Sequence, residues 1–177
     1  SSAGAFFGTD AIHGRQLISS DPYFNLGQTA GWIALLDTGV RSTHQMFNSP
    51  SMLGFRLDCV NGGTNCNSGS GLNPNDDCWN HGTSSAGIIS GNSRSGNQYR
   101  GVTGITLDAF KVYPTSFNSS GRCNGGLHTS ATLRAFQRAV ALLDKVIVAE
   151  MQGGGNENSS ISIAGDNAFN TGAVIIA

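Results

Sequence analysis

Charged residues are scarce in this 177-residue chain, where they make up 12% of the sequence, about half the share usual in globular proteins. The net charge is -1, so the chain has no basic excess that would attract nucleic acid or an anionic membrane surface. It also lacks any apolar run approaching the ~20 residues of a membrane-spanning helix. We therefore expect neither nucleic acid nor a membrane as a partner. The length is sufficient for one domain with a hydrophobic core.

A signal peptide and a zinc-binding pattern are missing as well. The chain starts Ser-Ser-Ala-Gly, without a methionine or an apolar segment, so we expect it to begin at a processing site. The cysteines form no CxxC pair of the kind that holds zinc. Glycine, in contrast, is abundant, with 25 residues among many serines and asparagines. Such a loop-rich, weakly charged chain is typical of secreted proteins.

The four cysteines are an even number, which in a chain of this composition favours two disulfides formed in an oxidising compartment. Cys59, Cys66, Cys78 and Cys123 allow three pairings. We favour Cys59 with Cys66, because both lie in one Gly/Asn-rich loop, which leaves Cys78 with Cys123. The alternative is four unpaired, buried thiols.

Residues 32–36 (WIALL) form a short apolar run that leads directly into Asp37. The run is too short for an ordinary helix and too apolar for a surface strand, so it predicts a strand buried on both faces of a parallel sheet. Functional sites in open α/β sheets lie beyond the carboxyl ends of the strands. Asp37 is therefore a candidate functional carboxylate, and the alternative is a strand-end aspartate that caps a turn.

Strand and helix patterns alternate along the rest of the chain, which favours an α/β fold with a parallel sheet. A helix beginning at His81 is indicated by small and apolar residues. In a second helix, over 129–143, Leu133, Phe136, Val140 and Leu143 are spaced to face the core, and Arg134 and the other polar residues to face outward. The further predicted elements are strands at 52–57, 105–113, 145–149 and 173–177, and a helix at 160–170.

Asp37 and His81 are the candidates for chemistry. A histidine oriented by a buried carboxylate makes up two thirds of a serine-protease relay, in which the imidazole takes the proton of the nucleophile and returns it to the leaving group. The carboxylate fixes the tautomer of the imidazole and stabilises the imidazolium. Histidine suits this task because its pKa lies near neutral pH without much adjustment.

The sequence around these two residues resembles the subtilisin-like serine proteases, the subtilases. Residues 33–40 (IALLDTGV) resemble the aspartate motif of that family, and residues 81–91 (HGTSSAGIISG) resemble its histidine motif. Residues 101–102 (GV) and 109–112 (AFKV) are similar to the strand segment that comes next, and residues 150–155 (EMQGGG) to the substrate-binding segment. The order Asp, His, then Ser is that of subtilisin.

The resemblance implies a subtilisin-like parallel sheet with helices on both faces, in which Asp37 and His81 are catalytic. It implies that Gln152, Gly153 and Gly154 bind substrate. The two glycines would pair with an extended peptide as an added strand, and Gly125 and Gly126 would form the opposite edge of that cleft. The alternative for both pairs is that they are plain turn glycines.

The chain departs from the family pattern in ways that limit what carries over. The Gly-Thr-Ser-Met-Ala-like motif of the catalytic serine is absent, and residues 82–84 (GTS) belong to the histidine motif. The oxyanion-hole asparagine is missing too. Met46 stands where many members have a calcium-binding carboxylate, so we assign no metal ligand. The chemistry requires no cofactor, and structural calcium is left without an assigned site.

We therefore expect residues 1–177 to be the N-terminal portion of a single catalytic domain, with an incomplete sheet. A second polypeptide or segment would supply the serine and the asparagine, and the substrate would be a protein or peptide. The alternative is an inactive subtilase-like module that binds peptides. We assign Trp79 to packing. Asp108 and Glu150 are a further candidate carboxylate pair, although nothing in the sequence places them together.

Overall fold

The protein folds around a five-stranded sheet in a computed structural model that describes residues 32–47, 53–69, 72–74, 77–91, 101–151 and 159–177. Its strands are β1 (Ile33–Asp37), β2 (Leu53–Asp58), β3 (Leu107–Lys111), β4 (Val146–Ala149) and β5 (Val174–Ile176). Its helices are α1 (His81–Ser90), α2 (Thr129–Ala141) and α3 (Ser159–Asn170). The predicted alternation of strands and helices is confirmed.

The strand order is β2-β3-β1-β4-β5, and every neighbouring pair is parallel. β1 lies at the centre, where Ile33 is in register with Leu107 on one side and with Val146 on the other. All five residues of β1 are buried, as its apolar sequence predicts. The central strand therefore delivers Asp37 to the carboxyl edge of the sheet.

Helices cover both faces of the sheet, because alternate residues of a strand point to opposite sides. Leu36 packs on one face with Ala135 of α2, whereas Leu35 packs on the other with Ala86 of α1. The fold is thus the α/β arrangement with helices on both faces that the sequence predicted. No described helix is both long enough and apolar enough to cross a membrane.

The buried face of α2 differs from the predicted one. Ala131, Ala135 and Ala139 are fully buried beside Phe136, because small side chains let the helix backbone approach the sheet closely. Leu143 was expected in the core, yet it is 69% exposed. The helix ends at Ala141, and Leu143 adopts a positive φ of 66° beyond it, so the helical spacing no longer applies there.

Arg134 of α2 was expected to face outward, and this expectation was also wrong. It is half-buried, and its Nε donates a hydrogen bond of 3.0 Å to the carbonyl oxygen of Cys59. A guanidinium can serve a buried carbonyl in this way because its stem packs along the helix while its planar head reaches the acceptor. Arg134 thereby ties α2 to the loop after β2.

Two disulfides link the loops, in the pairing favoured from the sequence. Cys59 bonds Cys66 within the loop that follows β2. Cys78 bonds Cys123, across 45 residues of sequence, and joins the segment before α1 to the segment before α2. Among the described residues no cysteine is free. Since both of these segments lie beyond the carboxyl edge of the sheet, the second disulfide holds that region together.

The sheet edge formed by β5 remains largely exposed within the described part of the chain. Val174 and Ile176 are 56% and 52% exposed, and Phe169 of the adjacent α3 is 66% exposed. Exposed apolar strands at a sheet edge are ordinarily covered in soluble proteins. β5 thus contrasts with the fully buried β1 at the centre.

Candidate active site

Asp37 lies at the end of the central strand, where its side chain is 1% exposed. The backbone amide of Thr38 donates a hydrogen bond of 2.6 Å to Asp37 Oδ1. Burial raises the pKa of Asp37, and the hydrogen bonds from His81 and Thr38 offset part of that rise. The carboxylate is therefore both desolvated and held in one orientation.

His81 is the first residue of α1, and close backbone packing places it against the end of β1. A side chain on Gly82 would collide with the carbonyl oxygen of Gly39 and would press on the carboxyl group of Asp37. Only glycine allows this approach. The amide of Gly82 also donates a 3.0 Å hydrogen bond to Thr38 Oγ1. The start of α1 is thus fixed directly above Asp37.

Asp77 is a supporting residue that the sequence analysis missed. It is 1% exposed, its Oδ1 accepts from Thr38 Oγ1 at 2.7 Å, and its Oδ2 accepts from the amide of Thr83 at 2.8 Å. The N-cap residue, Asn80, makes no capping hydrogen bond with its side chain and has a φ of 57°. Asp77 therefore caps α1 from upstream and links the helix to the turn after β1. No local motif reveals this role, because its partners lie 39 and 6 residues away.

The Asp37 and His81 side chains form a close pair. Nδ1 of His81 lies 2.8 Å from Asp37 Oδ1 and 3.0 Å from Oδ2. With Nδ1–H donating to the carboxylate, Nε2 carries the lone pair and is free to act as a base. The hydrogen bond to Asp37 raises the pKa of His81 above its ordinary 6.5, and burial offsets part of the increase. This arrangement can accept a proton near neutral pH.

Glu150 follows β4, and its position beside His81 was not predicted from the sequence. Its Oε2 lies 3.9 Å from His81 Nε2 and accepts a 2.7 Å hydrogen bond from the hydroxyl of Ser85. Ser85 lies one helical turn after His81, so the two share a face of α1. The proposed pairing of Glu150 with Asp108 is wrong, since Glu150 lies beyond the carboxyl end of β4 and Asp108 lies near the start of β3.

A cleft of about 370 Å³ opens beside His81, and its lining includes the glycines predicted to flank the substrate. The described residues that line it are Thr38, Trp79, His81, Tyr113, Gly125, Gly126 and Glu150. Trp79 was assigned to packing, yet it is 44% exposed and lies in this wall. The predicted substrate-binding residues Gln152, Gly153 and Gly154 lie outside the described residues.

Two other features of the structure have the form of a binding site. A cavity of about 400 Å³ lies between α3 and β5, and it is lined mainly by apolar side chains. We place the chemistry in the smaller cleft, because the paired imidazole lies there. In that cleft, Asp37, His81 and Glu150 offer ligand atoms within 4.8 Å of one another. We interpret Asp37 and His81 as a proton-transfer pair, since the oxygens of Asp37 are already occupied by hydrogen bonds.

Met46, at the place of the family's calcium-binding carboxylate, packs against α1. A side chain on Gly87 would collide with Met46 Sδ, so glycine at position 87 makes room for the thioether. Met46 belongs to the apolar group on this face of the sheet. Its side chain packs in this apolar group. We assign no residue as a ligand of structural calcium.

Comparison with known proteins gives one family and several related structures. Residues 29–176 match the family model described as Subtilase family. Curated protein sequences give no match. The crystal structure of MycP1 with the N-terminal propeptide removed has a TM-score of 0.59 at 22% identity, over 94% of this chain and 47% of that one. At this identity the likeness concerns the fold.

Two further structures are similar. A cold adapted subtilisin-like serine proteinase gives a TM-score of 0.55 at 22% identity, over 81% of this chain and 44% of that one. The prenylagaramide maturation protease PagA gives 0.57 at 16% identity, over 91% and 48%. The chain therefore spans about half the length of the structures that it matches.

Proposed function

The chain belongs to the subtilase family, and on that premise we propose that it is the Asp- and His-bearing portion of a serine endopeptidase. The observation that carries the proposal is the 2.8 Å contact between His81 Nδ1 and Asp37 Oδ1 beside an open cleft. A buried carboxylate that orients an accessible imidazole is the arrangement which serine-protease chemistry requires.

In the proposed reaction, His81 Nε2 takes the proton of a serine hydroxyl while the serine oxygen attacks the scissile carbonyl. His81 then gives that proton to the leaving amine, and an acyl-enzyme remains on the serine. Water attacks the acyl group with the same imidazole as base. Asp37 stays ionised throughout and stabilises the imidazolium, in agreement with the raised pKa of His81.

The nucleophilic serine and the oxyanion-hole asparagine are proposed to come from a second polypeptide or a further segment of the same protein. Two observations support this. The chain spans about half of its structural relatives, and the apolar edge at β5 exposes more than half of Val174 and of Ile176. A further strand beside β5 would cover this edge. Without that part we expect no useful peptidase activity.

The substrate is proposed to be an extended peptide that runs through the cleft. Gly125 and Gly126 line this cleft together with Trp79 and His81. We propose that they form one edge for the peptide and that Gly153 and Gly154 pair with it at the opposite edge. Main-chain pairing of this kind tolerates many sequences. Gln152 is proposed to contribute to the pocket for the residue before the cut.

We further propose that the protein is secreted and made as a zymogen. The two disulfides support an oxidising compartment. The description of one structural relative refers to an N-terminal propeptide, which supports a zymogen for this chain as well.

The second candidate function is an inactive module that keeps the fold and binds peptides. The observation in its favour is that no Gly-Thr-Ser-Met-Ala-like motif occurs in these 177 residues. The retention of both Asp37 and His81, in hydrogen-bonding geometry, argues against it.

Labelling with a fluorescent fluorophosphonate tests the proposal, because this reagent reacts with activated serines. The complete protein and its His81→Ala variant would be treated and separated on a denaturing gel. We expect a labelled band in the wild type, on a second polypeptide or on one longer than 177 residues, and almost no label in the variant. An unlabelled wild-type protein that still binds peptides would establish the inactive module instead.

A further inference from the structure

Glu150 places a carboxylate in the cleft that the reaction itself does not use. Its side chain is 46% exposed, and Ser85 Oγ holds its Oε2 at 2.7 Å. The 3.9 Å between Glu150 Oε2 and His81 Nε2 is too long for a hydrogen bond. Glu150 therefore neither fixes the imidazole, which Asp37 already does, nor takes a proton from it in this arrangement.

The surroundings of this carboxylate suit a positively charged group. The lining of the cleft combines Glu150 with the aromatic side chains of Trp79 and Tyr113 and contains no lysine or arginine among the described residues. Aromatic faces attract cations through their quadrupole, and a carboxylate supplies the opposite charge. A neutral apolar side chain of similar length would make only apolar contacts with the aromatic residues of the lining.

The position of Glu150 decides which part of a peptide it would contact. It lies beside the imidazole that must face the reacting serine, and Gly125 and Gly126 line the same cleft. A peptide held in this cleft would bring a side chain within reach of its lining, which includes Trp79 and Glu150. The hydroxyl of Ser85 keeps the carboxylate in place before the substrate arrives, which reduces the entropy lost on binding.

We propose that Glu150, together with Trp79, selects a lysine or arginine side chain of the peptide at the subsite next to His81. This inference rests on the proposed function, because it names the substrate class of the same cleft. It makes Glu150 a specificity-determining residue, whose effect depends on the charge of the substrate.

The test measures binding and cleavage separately, in the complete protein. N-acetylated hexapeptide amides would carry alanine at all positions except one, which holds lysine, arginine or norleucine in turn. Binding is measured by calorimetry in a His81→Ala background, which prevents cleavage of the peptide and leaves the subsite open; the wild-type residue and the variants are compared in this background. The variants are Glu150→Gln and, as a matched control, Asp166→Asn, which removes an exposed carboxylate on α3 outside this cleft.

We expect the wild type to bind lysine or arginine peptides about twofold to fivefold more tightly than norleucine peptides at one position, the range for a partly exposed ion pair. Glu150→Gln should abolish this ratio, and Asp166→Asn should preserve it. In the wild type, raising the salt concentration should weaken binding of the cationic peptides only, because salt screens the ion pair. This last measurement needs no substitution at Glu150.

The inference is overturned if the wild type shows no cation preference at any position, or if the ratio survives in Glu150→Gln. It is also overturned if Asp166→Asn loses the ratio to the same extent. Failure of the proposed function looks different: the protein that retains His81 would neither react with fluorophosphonate nor cleave any peptide. The binding ratio is measured in either case.

Discussion

Buried carboxylates lie at both ends of the sheet, and they differ in how their oxygens are satisfied. At the carboxyl end, Asp37 is 1% exposed and receives hydrogen bonds from the amide of Thr38 and from His81. At the amino end, Asp108 and Asp144 are 0% and 3% exposed. Asp108 Oδ1 accepts from the amide of Phe55, whereas within the described part of the chain Asp108 Oδ2 and the oxygens of Asp144 have only each other as hydrogen-bond partners.

The physical consequence is a division of roles between the two ends. Burial raises the pKa of Asp144 to about 8, with a contribution from the charge of Asp108, and burial raises the pKa of Asp108 to about 6. A proton retained by Asp144 removes one of the two like charges. In contrast, a carboxylate supplied with donors can stay charged while buried, and Asp37 uses its charge to orient His81. The comparison teaches that burial alone does not mark a candidate functional carboxylate; what sets Asp37 apart is that one of its hydrogen-bond donors is the imidazole of His81.

The largest effect should follow removal of the base. In the complete protein, His81→Ala should lower kcat about a millionfold, the loss known for the corresponding change in subtilisin. The fold should persist, because this side chain is 55% exposed. Measurements of kcat and Tm check both points, with His128→Gln, at the start of α2, as a control that keeps activity. A modest loss of kcat would show that another group serves as the base.

Loss of the orienting charge should be the next largest effect. Asp37→Asn should lower kcat about ten-thousandfold, as in subtilisin, because the imidazole loses its preferred tautomer. Asp58 provides a matched control: it also ends a strand, is 1% exposed and accepts from the amides of Val60 and Asn61. Asp58→Asn should lower Tm and leave kcat nearly unchanged. Equal losses of kcat in both variants would remove the distinction between functional and structural carboxylates.

The disulfide between Cys78 and Cys123, at the carboxyl end of the sheet, should contribute more stability than the disulfide between Cys59 and Cys66. In the chain-entropy model, replacing Cys78 and Cys123 by alanine costs about 4 kcal/mol, whereas replacing Cys59 and Cys66 costs about 2 kcal/mol. The difference arises because the bridges span 45 and 7 residues. Denaturant unfolding of the two double variants measures both values. A larger loss in the Cys59/Cys66 variant would contradict the expected order.

The smallest effect should come from the amino-end pair, and it should appear in stability alone. Because the folded pKa values of both groups are raised, the folded state binds protons more tightly than the unfolded chain, so stability falls as pH rises from about 4 through about 8. At pH 9 the Asp144→Asn variant should therefore be more stable than the wild type, with an equilibrium constant for folding that is larger by about tenfold or more. At pH 4 the two proteins should differ little.

Unfolding curves at both pH values, with Asp166→Asn as an exposed control, check this prediction. Activity at neutral pH should be retained in Asp144→Asn, since the residue lies at the end of the sheet opposite His81. A wild-type stability that rises between pH 5 and pH 8 relative to Asp144→Asn would contradict the assignment of raised pKa values.

Local patterns were sufficient to predict the sheet, the contact between Asp37 and His81 and the disulfide pairing. The apolar run before Asp37 specifies a buried central strand, and the small residues after His81 specify a closely packed helix. In both cases the signal lies within about ten residues of sequence. Parallel topology then brings the end of β1 and the start of α1 to the same edge of the sheet.

The features that escaped prediction depend on contacts between distant segments. Asp77 caps α1 through partners on two different segments, and Glu150 reaches His81 only because β4 lies beside β1. Apart from Phe136, which was predicted, the buried face of α2 consists mainly of alanines, whose small size gives a weak periodic signal. Trp79 was predicted to be a packing residue because it is a large aromatic residue beside the disulfide loop. Only the tertiary structure shows that it lines the cleft.

Titration of the His81 ring nitrogens by NMR tests the central claim most directly. In the complete protein, the account predicts that Nδ1 carries the proton of the neutral ring and that the pKa of His81 lies above its ordinary value. The pKa should fall in Asp37→Asn and stay unchanged in Asp58→Asn. A neutral ring protonated at Nε2, or a pKa that does not respond to Asp37→Asn, would contradict the assignment of Asp37 and His81 as the catalytic pair.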